Sequence, residues 1–172
     1  KSNLDKFDQE LDRLKRLWEI TGSFDAFNAF YKANIIYHEM LGNFSAIVDL
    51  TVHSEMLLKS NQVNKLRFDS AFNKFILVYA HFRDKRLVEG LKYAAEFIGE
   101  FDEGYANWFA YMENYFLLAL HSKNLQLVAT LLHKVFTNPA FNKQPAPAKE
   151  RWTLYQSYFL LVGSGEDLRN QK

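Results

Sequence analysis

The chain has 172 residues, of which 48% are apolar and 24% are charged, and its formal net charge is +1. This composition predicts a single folded domain and argues against intrinsic disorder, which requires low hydrophobicity and high net charge. The balance of 21 basic against 20 acidic residues disfavours nucleic-acid binding, which uses strongly basic surfaces. Because there is no cysteine, disulfides, thiolate metal sites and cysteine nucleophiles are excluded, and a cytoplasmic location is favoured.

The first residues carry no signal-peptide pattern, and the longest clean apolar stretch covers only residues 115–120. Since a membrane span needs about 18 apolar residues or more, we predict no membrane insertion. The chain begins with Lys1 rather than Met, which predicts that it is part of a longer protein.

Residues 1–22 predict an amphipathic helix that ends near Gly22. Its apolar residues recur at steps of three and four, and they are Leu4, Phe7, Leu11, Leu14 and Trp18. This narrow seam has two interpretations. It caps the first hairpin of the domain, or it continues a coiled coil or forms the seam of a dimer.

Beyond Gly22 the sequence repeats with a period of about 41 residues, which is typical of stacked helical units. Bulky aromatic residues form one column of this alignment, made up of Phe27, Phe68, Trp108 and Trp152. A second column predicts the residues that cap the second helix of each unit, and it contains Asn43, Asp84 and Asn124. Both halves of a helix hairpin therefore recur.

The predicted hairpins occupy residues 24–137, and a Pro-rich loop at 138–147 separates them from a C-terminal helix and tail at 148–172. The hairpins pair residues 25–41 with 44–59, 65–82 with 85–99, and 105–122 with 125–137, and the last helix covers 148–162. The first helix of each pair is apolar over most of its circumference, which predicts packing on two sides. We expect one helical-repeat domain over residues 1–172.

Repeated hairpins with a bulky aromatic residue near the start of each first helix, and the turn Gly42, Asn43 and Phe44, resemble the tetratricopeptide-repeat superfamily. The resemblance spans residues 24–168, although the period is longer than the family's 34 residues and closer to HEAT-type lengths. It implies an all-α fold, an α-solenoid of about three stacked hairpins with an N-terminal capping helix and a C-terminal helix. An unrelated helical bundle is the alternative fold.

In such arrays the first helices line a concave face that binds peptides or partner helices. Polar residues spaced four apart on these helices predict a groove for a protein partner. The predicted groove residues are Asn28, Lys32, Asp69, Asn73, Glu113 and Asn114. An ordinary solvated face is the alternative interpretation of the same residues.

Motifs for catalysis or metal binding are missing or incomplete. His38 and Glu39 begin a zinc-protease pattern, but Gly42 stands where the second histidine belongs. His81 and His121 occupy equivalent repeat positions without further ligands, and no phosphate-binding loop or nucleophile elbow occurs. We therefore predict no catalytic residue, no metal and no cofactor.

The sequence thus predicts a non-enzymatic scaffold or adaptor module that binds a peptide or partner helix, as a monomer or weak dimer. One alternative is a regulatory or sensor domain of a larger signalling or transcription protein, dimerising through the N-terminal helix. Another is a small-molecule or catalytic pocket in the aromatic interior.

Overall fold

The computed structural model describes residues 3–60 and 69–170 of the chain. Over these residues the chain forms eight α-helices and no β-strand, which confirms the predicted all-α class. The helices are α1 (Asn3–Thr21), α2 (Phe24–Met40), α3 (Phe44–Lys59), α4 (Ser70–Arg83), α5 (Leu87–Phe97), α6 (Ala106–His121), α7 (Leu125–Thr137) and α8 (Ala146–Asn170). Phe68 of the aromatic column lies outside the described residues.

The chain divides into two compact units, Lys1–Tyr93 and Ala94–Lys172, and the boundary lies within α5. The first unit contains helices α1 to α4, and the second contains α6 to α8. Stacking of the hairpins into a solenoid, and the single domain over residues 1–172, stay predictions.

In the first unit, α1 packs on α2 through the apolar seam that the sequence predicts. The Phe7 ring stacks on Tyr37 at a centroid distance of 5.5 Å, and the Trp18 ring lies 4.9 Å from Phe27. Leu11, between them on the seam, is buried. Phe7 and Trp18 of the seam thus pack on α2. Capping of a repeat array and dimerisation through this helix both stay predictions.

The core of the second unit is built mainly from aromatic rings. Trp108, Phe116 and Trp152 are almost fully buried, and the Phe116 and Trp152 rings meet edge to face at 5.6 Å. Tyr111 is also buried, and its hydroxyl donates a hydrogen bond of 2.8 Å to the backbone carbonyl of Ala94. Large rings bury much apolar area each, so they supply much of the burial in this small unit.

The three hairpins close through the same type of turn, a Schellman motif at the end of the first helix. A residue with positive φ follows each helix, namely Gly42 (φ 68°), Lys85 (φ 59°) or Lys123 (φ 57°). The next amide then donates to a carbonyl five residues back, at 2.8 to 3.0 Å in the three turns. Carbonyls of the last turn of the first helix, which have no partner within that helix, thereby gain hydrogen bonds before the second helix begins.

The prediction that Asp84 caps the second helix of its pair is wrong. Asn43 and Asn124 do cap α3 and α7, with side chains that accept from the amides of Ala46 and Leu127. Asp84 instead ends α4, and its carboxylate accepts from Arg86 at 2.7 Å. The left-handed residues stand at positions 42, 85 and 123, so the turns do not keep an even spacing.

The last helix is longer than predicted, because α8 begins inside the expected Pro-rich loop and continues to Asn170. Pro145 precedes it and Pro147 lies in its first turn, where the missing amide proton removes no helical hydrogen bond. The amides of Ala148 and Lys149 both donate to the Pro145 carbonyl. The remainder of the expected loop includes a short 3-10 turn at Phe141–Lys143.

The turns allow a test of backbone strain. We expect Lys85→Gly and Lys123→Gly each to raise the free energy of unfolding by about 0.5–1 kcal/mol, because only glycine adopts positive φ without a Cβ penalty. The control Lys92→Gly, inside α5, should lower it by about 1 kcal/mol. Urea unfolding measures the three changes, and destabilisation by the turn variants would contradict the turn geometry.

Candidate functional site

A buried hydrogen-bond network in the first unit contains one of the predicted groove residues, Asn73. Its side chain is fully buried and joins three helices. The amide nitrogen donates to the Thr51 carbonyl at 3.2 Å and to the Glu55 carboxylate at 2.7 Å, and the amide oxygen accepts from the Tyr31 hydroxyl. Burial, assisted by the charge of Glu55, raises the pKa of Tyr31 far above its ordinary value, so the hydroxyl stays a donor.

The network continues to a buried ion pair between Lys74 and Glu55, whose nearest atoms are 3.3 Å apart. Both side chains are more than nine-tenths buried. The Lys74 ammonium also donates to the Ser70 hydroxyl at 2.7 Å, which is the spacing of a serine–lysine nucleophile. Lys74 thus shares its ammonium between the Glu55 carboxylate and the Ser70 hydroxyl, and the ion pair joins α3 to α4.

The other predicted groove residues of the first unit lie nearer the surface. Lys32 is exposed, with its nitrogen 5.9 Å from the centroid of the Phe72 ring. Asp69 is exposed and caps α4 by accepting from the Phe72 amide at 2.9 Å. Asn28 is half-buried. Lys32 and Asp69 therefore both lie close to Phe72, one near its ring and the other at its backbone amide.

In the second unit, Glu113 is held by two partners on α8. Arg151 donates to both carboxylate oxygens, at 3.0 and 3.3 Å, and the Tyr155 hydroxyl donates at 2.8 Å. Burial and this hydrogen bond raise the pKa of Tyr155 to about 12. Asn114 is buried. Glu113 thus fastens α8 to α6 and is only one-fifth exposed.

Of the six predicted residues, four are engaged in holding their own unit together. Asn73 and Glu113 bridge helices, Asp69 caps one, and Asn114 is buried. Lys32 is exposed, and its ammonium forms no ion pair within residues 3–60 and 69–170. Binding of a partner by this set stays a prediction.

Sequence reasoning missed an exposed apolar face on α8. Trp152 is 1% exposed, whereas Leu154, Tyr158 and Leu161 are 68%, 56% and 72% exposed. Their spacing of four and three residues places the latter three on one side of the helix. The same spacing describes a core stripe, so the sequence alone does not distinguish an exposed stripe from a buried one.

Two open clefts adjoin this face. One, of about 540 Å³, is lined by Tyr158 and Val162 of α8 together with Leu120, Lys123 and Leu125. The other, of about 530 Å³, is lined by Leu154 with Lys149, Glu150 and Thr153. An incoming helix could therefore rest on the apolar stripe while its side chains enter the flanking clefts.

The histidines do not form a metal site in the part of the chain that the structure describes. No group of three or more histidine and carboxylate residues there is arranged to hold a metal ion. His81 is buried and hydrogen-bonded through Nδ1 to the Leu77 carbonyl at 2.7 Å. Burial lowers the pKa of both His38 and His81.

Comparison of the chain with protein-family models, curated proteins and solved structures found no match. Among the described helices, none has the combined length and apolar character that crossing a membrane requires.

The buried network predicts a large effect of Asn73. We expect Asn73→Ala to lower the stability of the first unit by about 2–4 kcal/mol, because it leaves a buried hydroxyl and a buried carboxylate short of partners. Lys32→Ala, at the equivalent position of the first repeat in the sequence alignment, should change this stability by less than about 0.5 kcal/mol. Hydrogen exchange of the α4 amides measures both, and equal losses would contradict the assignment of Asn73 to structure.

The neutral, buried state of His81 predicts a pH dependence. Burial lowers the pKa of His81 in the folded protein, and Arg86 lowers it further against the opposing Leu77 carbonyl. As the pH falls, His81 is therefore protonated in the unfolded chain before it is protonated in the folded protein. The free energy of unfolding should accordingly fall as the pH drops through about 6.5. His81→Gln should reduce this slope between pH 7.5 and 5.5, whereas the exposed His133→Gln should not. Urea unfolding at a series of pH values measures the slope of the free energy of unfolding against pH. Equal slopes for the parent and both variants would contradict the role given to His81.

Proposed function

We propose that this chain is a non-enzymatic protein-interaction module that binds an amphipathic helix of a partner protein on the exposed face of α8. The observation that carries the proposal is the unequal covering of α8. Trp152 and Tyr155 pack against Phe116 of α6, while Leu154 and Tyr158 point away from that core and are more than half exposed. A helix that is apolar on two sides is suited to packing on two sides.

The spacing of the face fits a helix as its occupant. Leu154, Tyr158 and Leu161 span about 10 Å along the helix axis, or roughly two turns. A partner helix with apolar residues at three- and four-residue steps would interlock with them by ridge-into-groove packing. Tyr158 offers a ring of the type that is enriched at the energetic centres of interfaces.

The rim of the face favours an acidic partner. Lys123 and Lys149 line the two clefts, and Glu150 is the one carboxylate among the described residues that line them. Arg151 is nearby on α8 but is paired with Glu113. Acidic residues beside the apolar stripe of the partner would complement this rim and direct the encounter.

The size of the face favours a transient complex. Three exposed side chains and two flanking clefts fall short of the roughly 1,200 Å² or more that stable complexes bury. Binding in the micromolar range is therefore expected for a single partner helix. Such affinity suits a regulated adaptor rather than a permanent subunit.

Site-specific photo-crosslinking tests this proposal by capturing the partner where it binds. The photoreactive residue p-benzoylphenylalanine is placed at position 158, or at the exposed control position 130 on α7, in the full chain in its native cells. We expect a discrete protein adduct from position 158 only. Leu154→Glu should abolish the adduct while changing stability by no more than about 0.5 kcal/mol, since Leu154 is exposed.

Three outcomes would overturn the proposal. They are no adduct at position 158, the same adducts at positions 158 and 130, or an adduct that survives Leu154→Glu in a variant whose circular dichroism matches the parent. Persistence of the adduct would show that the contact does not depend on the apolar stripe.

A further inference from the structure

A second cavity, in the first unit, has features of a ligand site that the proposed function does not use. It has a volume of about 330 Å³ and is lined by α3, by the end of α4 and by the start of α5. Val48, Val52 and Met56, spaced four residues apart on α3, form an apolar wall. His53, His81 and Tyr93 contribute three rings, and the centroids of the His81 and Tyr93 rings are 5.1 Å apart.

His81 offers this cavity a hydrogen-bond acceptor. Its side chain is 2% exposed, and Nδ1 lies 2.7 Å from the Leu77 carbonyl of its own helix. A carbonyl oxygen only accepts, so Nδ1 carries the proton and Nε2 of the neutral ring has a free lone pair. Within the described residues Nε2 has no hydrogen-bond partner, and it lies on the ring edge opposite the Leu77 contact.

Two carboxylates line the same cavity. Asp49 is on α3 and Glu89 is on α5, and both side chains are exposed. Neither forms an ion pair or a hydrogen bond among residues 3–60 and 69–170. The rim therefore presents two negative charges and the interior presents a neutral acceptor, so all three groups accept hydrogen bonds.

The one strong cation of the cavity is already engaged. Arg86 donates to the Asp84 carboxylate at 2.7 Å and to the Ser45 hydroxyl at 2.8 Å. Its charge is offset by Asp84, so Asp49 and Glu89 leave the site with an excess of two negative charges. These negative charges would repel an anionic ligand. They would attract a cation, and the acceptors of the site would bind its N–H donors.

We propose that this cavity binds a primary alkylammonium group, with its N–H donors shared between His81 Nε2 and the carboxylates of Asp49 and Glu89. The alkyl stem lies against Val48, Val52 and Met56, and the Tyr93 ring adds a surface that favours cations. A free aliphatic amine and the side chain of a lysine in a partner protein share this chemistry. The residues of this site belong to the first unit, whereas the face on α8 belongs to the second.

Nuclear magnetic resonance titration of the full chain tests the proposal. The probes are n-butylammonium and Nα-acetyl-lysine methylamide, and the readouts are the ¹⁵N shift of His81 Nε2 and the backbone amides of Asp49 and Glu89. We expect saturable shifts with a Kd on the order of 1 mM for a ligand of five heavy atoms. The controls n-butanol, which lacks the charge, and tetramethylammonium, which lacks N–H donors, should bind at least 10-fold more weakly.

Substitutions of Asp49 and Glu89 test the site without disturbing the fold, because both side chains are exposed. Asp49→Asn and Glu89→Gln should each weaken n-butylammonium binding about 5-fold, and the double variant should abolish it. Glu19→Gln on α1 makes the same change in net charge and should leave the affinity unchanged.

The results distinguish a free amine from a partner lysine as the ligand, and they also test whether the site binds amines at all. Tighter binding of the lysine derivative than of n-butylammonium supports a partner lysine, and the reverse supports a free amine. No saturable shift up to about 100 mM of either amine, equal binding of n-butanol, or equal affinity in the Asp49, Glu89 and Glu19 variants would overturn the proposal. Loss of binding here would leave the crosslinking result on α8 unaffected.

Discussion

The first unit depends on the requirement that buried polar groups have partners. Asn73 meets this requirement for three helices at once, since it bonds to Tyr31 of α2, to Thr51 and Glu55 of α3, and lies itself on α4. Lys74 neutralises the charge of Glu55 in the same place. A polar network of this kind accepts one relative placement of the helices far better than any other, because each displacement leaves a donor or a charge unsatisfied. The second unit uses a more exposed version, in which Glu113 is held by Arg151 and Tyr155.

These networks change how the polar positions of the repeat are interpreted. Asn73 and Glu113 stand at equivalent places in the sequence alignment, where the pattern predicts a groove for a partner. In the structure each accepts a hydrogen bond from a tyrosine 42 residues away on another helix, Tyr31 or Tyr155. The recurring feature is therefore an internal tie between helices. Apolar side chains on α8, rather than these polar ones, offer the larger surface to a partner.

Helix content and most helix ends follow directly from the sequence. The predicted hairpin ranges agree with α2, α3, α6 and α7 to within a residue or so at each end, because spacing and Asn caps define them locally. The prediction for Asp84 is wrong because an acidic residue between two helices can either cap the second helix or pair with a nearby arginine. Asp84 pairs with Arg86, and the backbone conformation determines this choice. The exposure of Leu154 and Tyr158, the burial of Asn73 and the cavity beside His81 depend on which helices become neighbours. Apolar periodicity reports that a helix has an apolar face, but it does not report what covers that face.

If the exposed face of α8 binds a protein, its side chains should become less accessible to solvent when the partner is present. Hydroxyl-radical footprinting compares oxidation rates of Leu154, Tyr158 and Leu161 in the purified chain with those in its native cell extract. Leu17 and Ile20 on α1, which are 49% and 83% exposed, serve as internal references. We expect slower oxidation of the three α8 residues in the extract and unchanged oxidation of the two α1 residues. Unchanged rates on α8, or equal protection of α1, would contradict binding at this face.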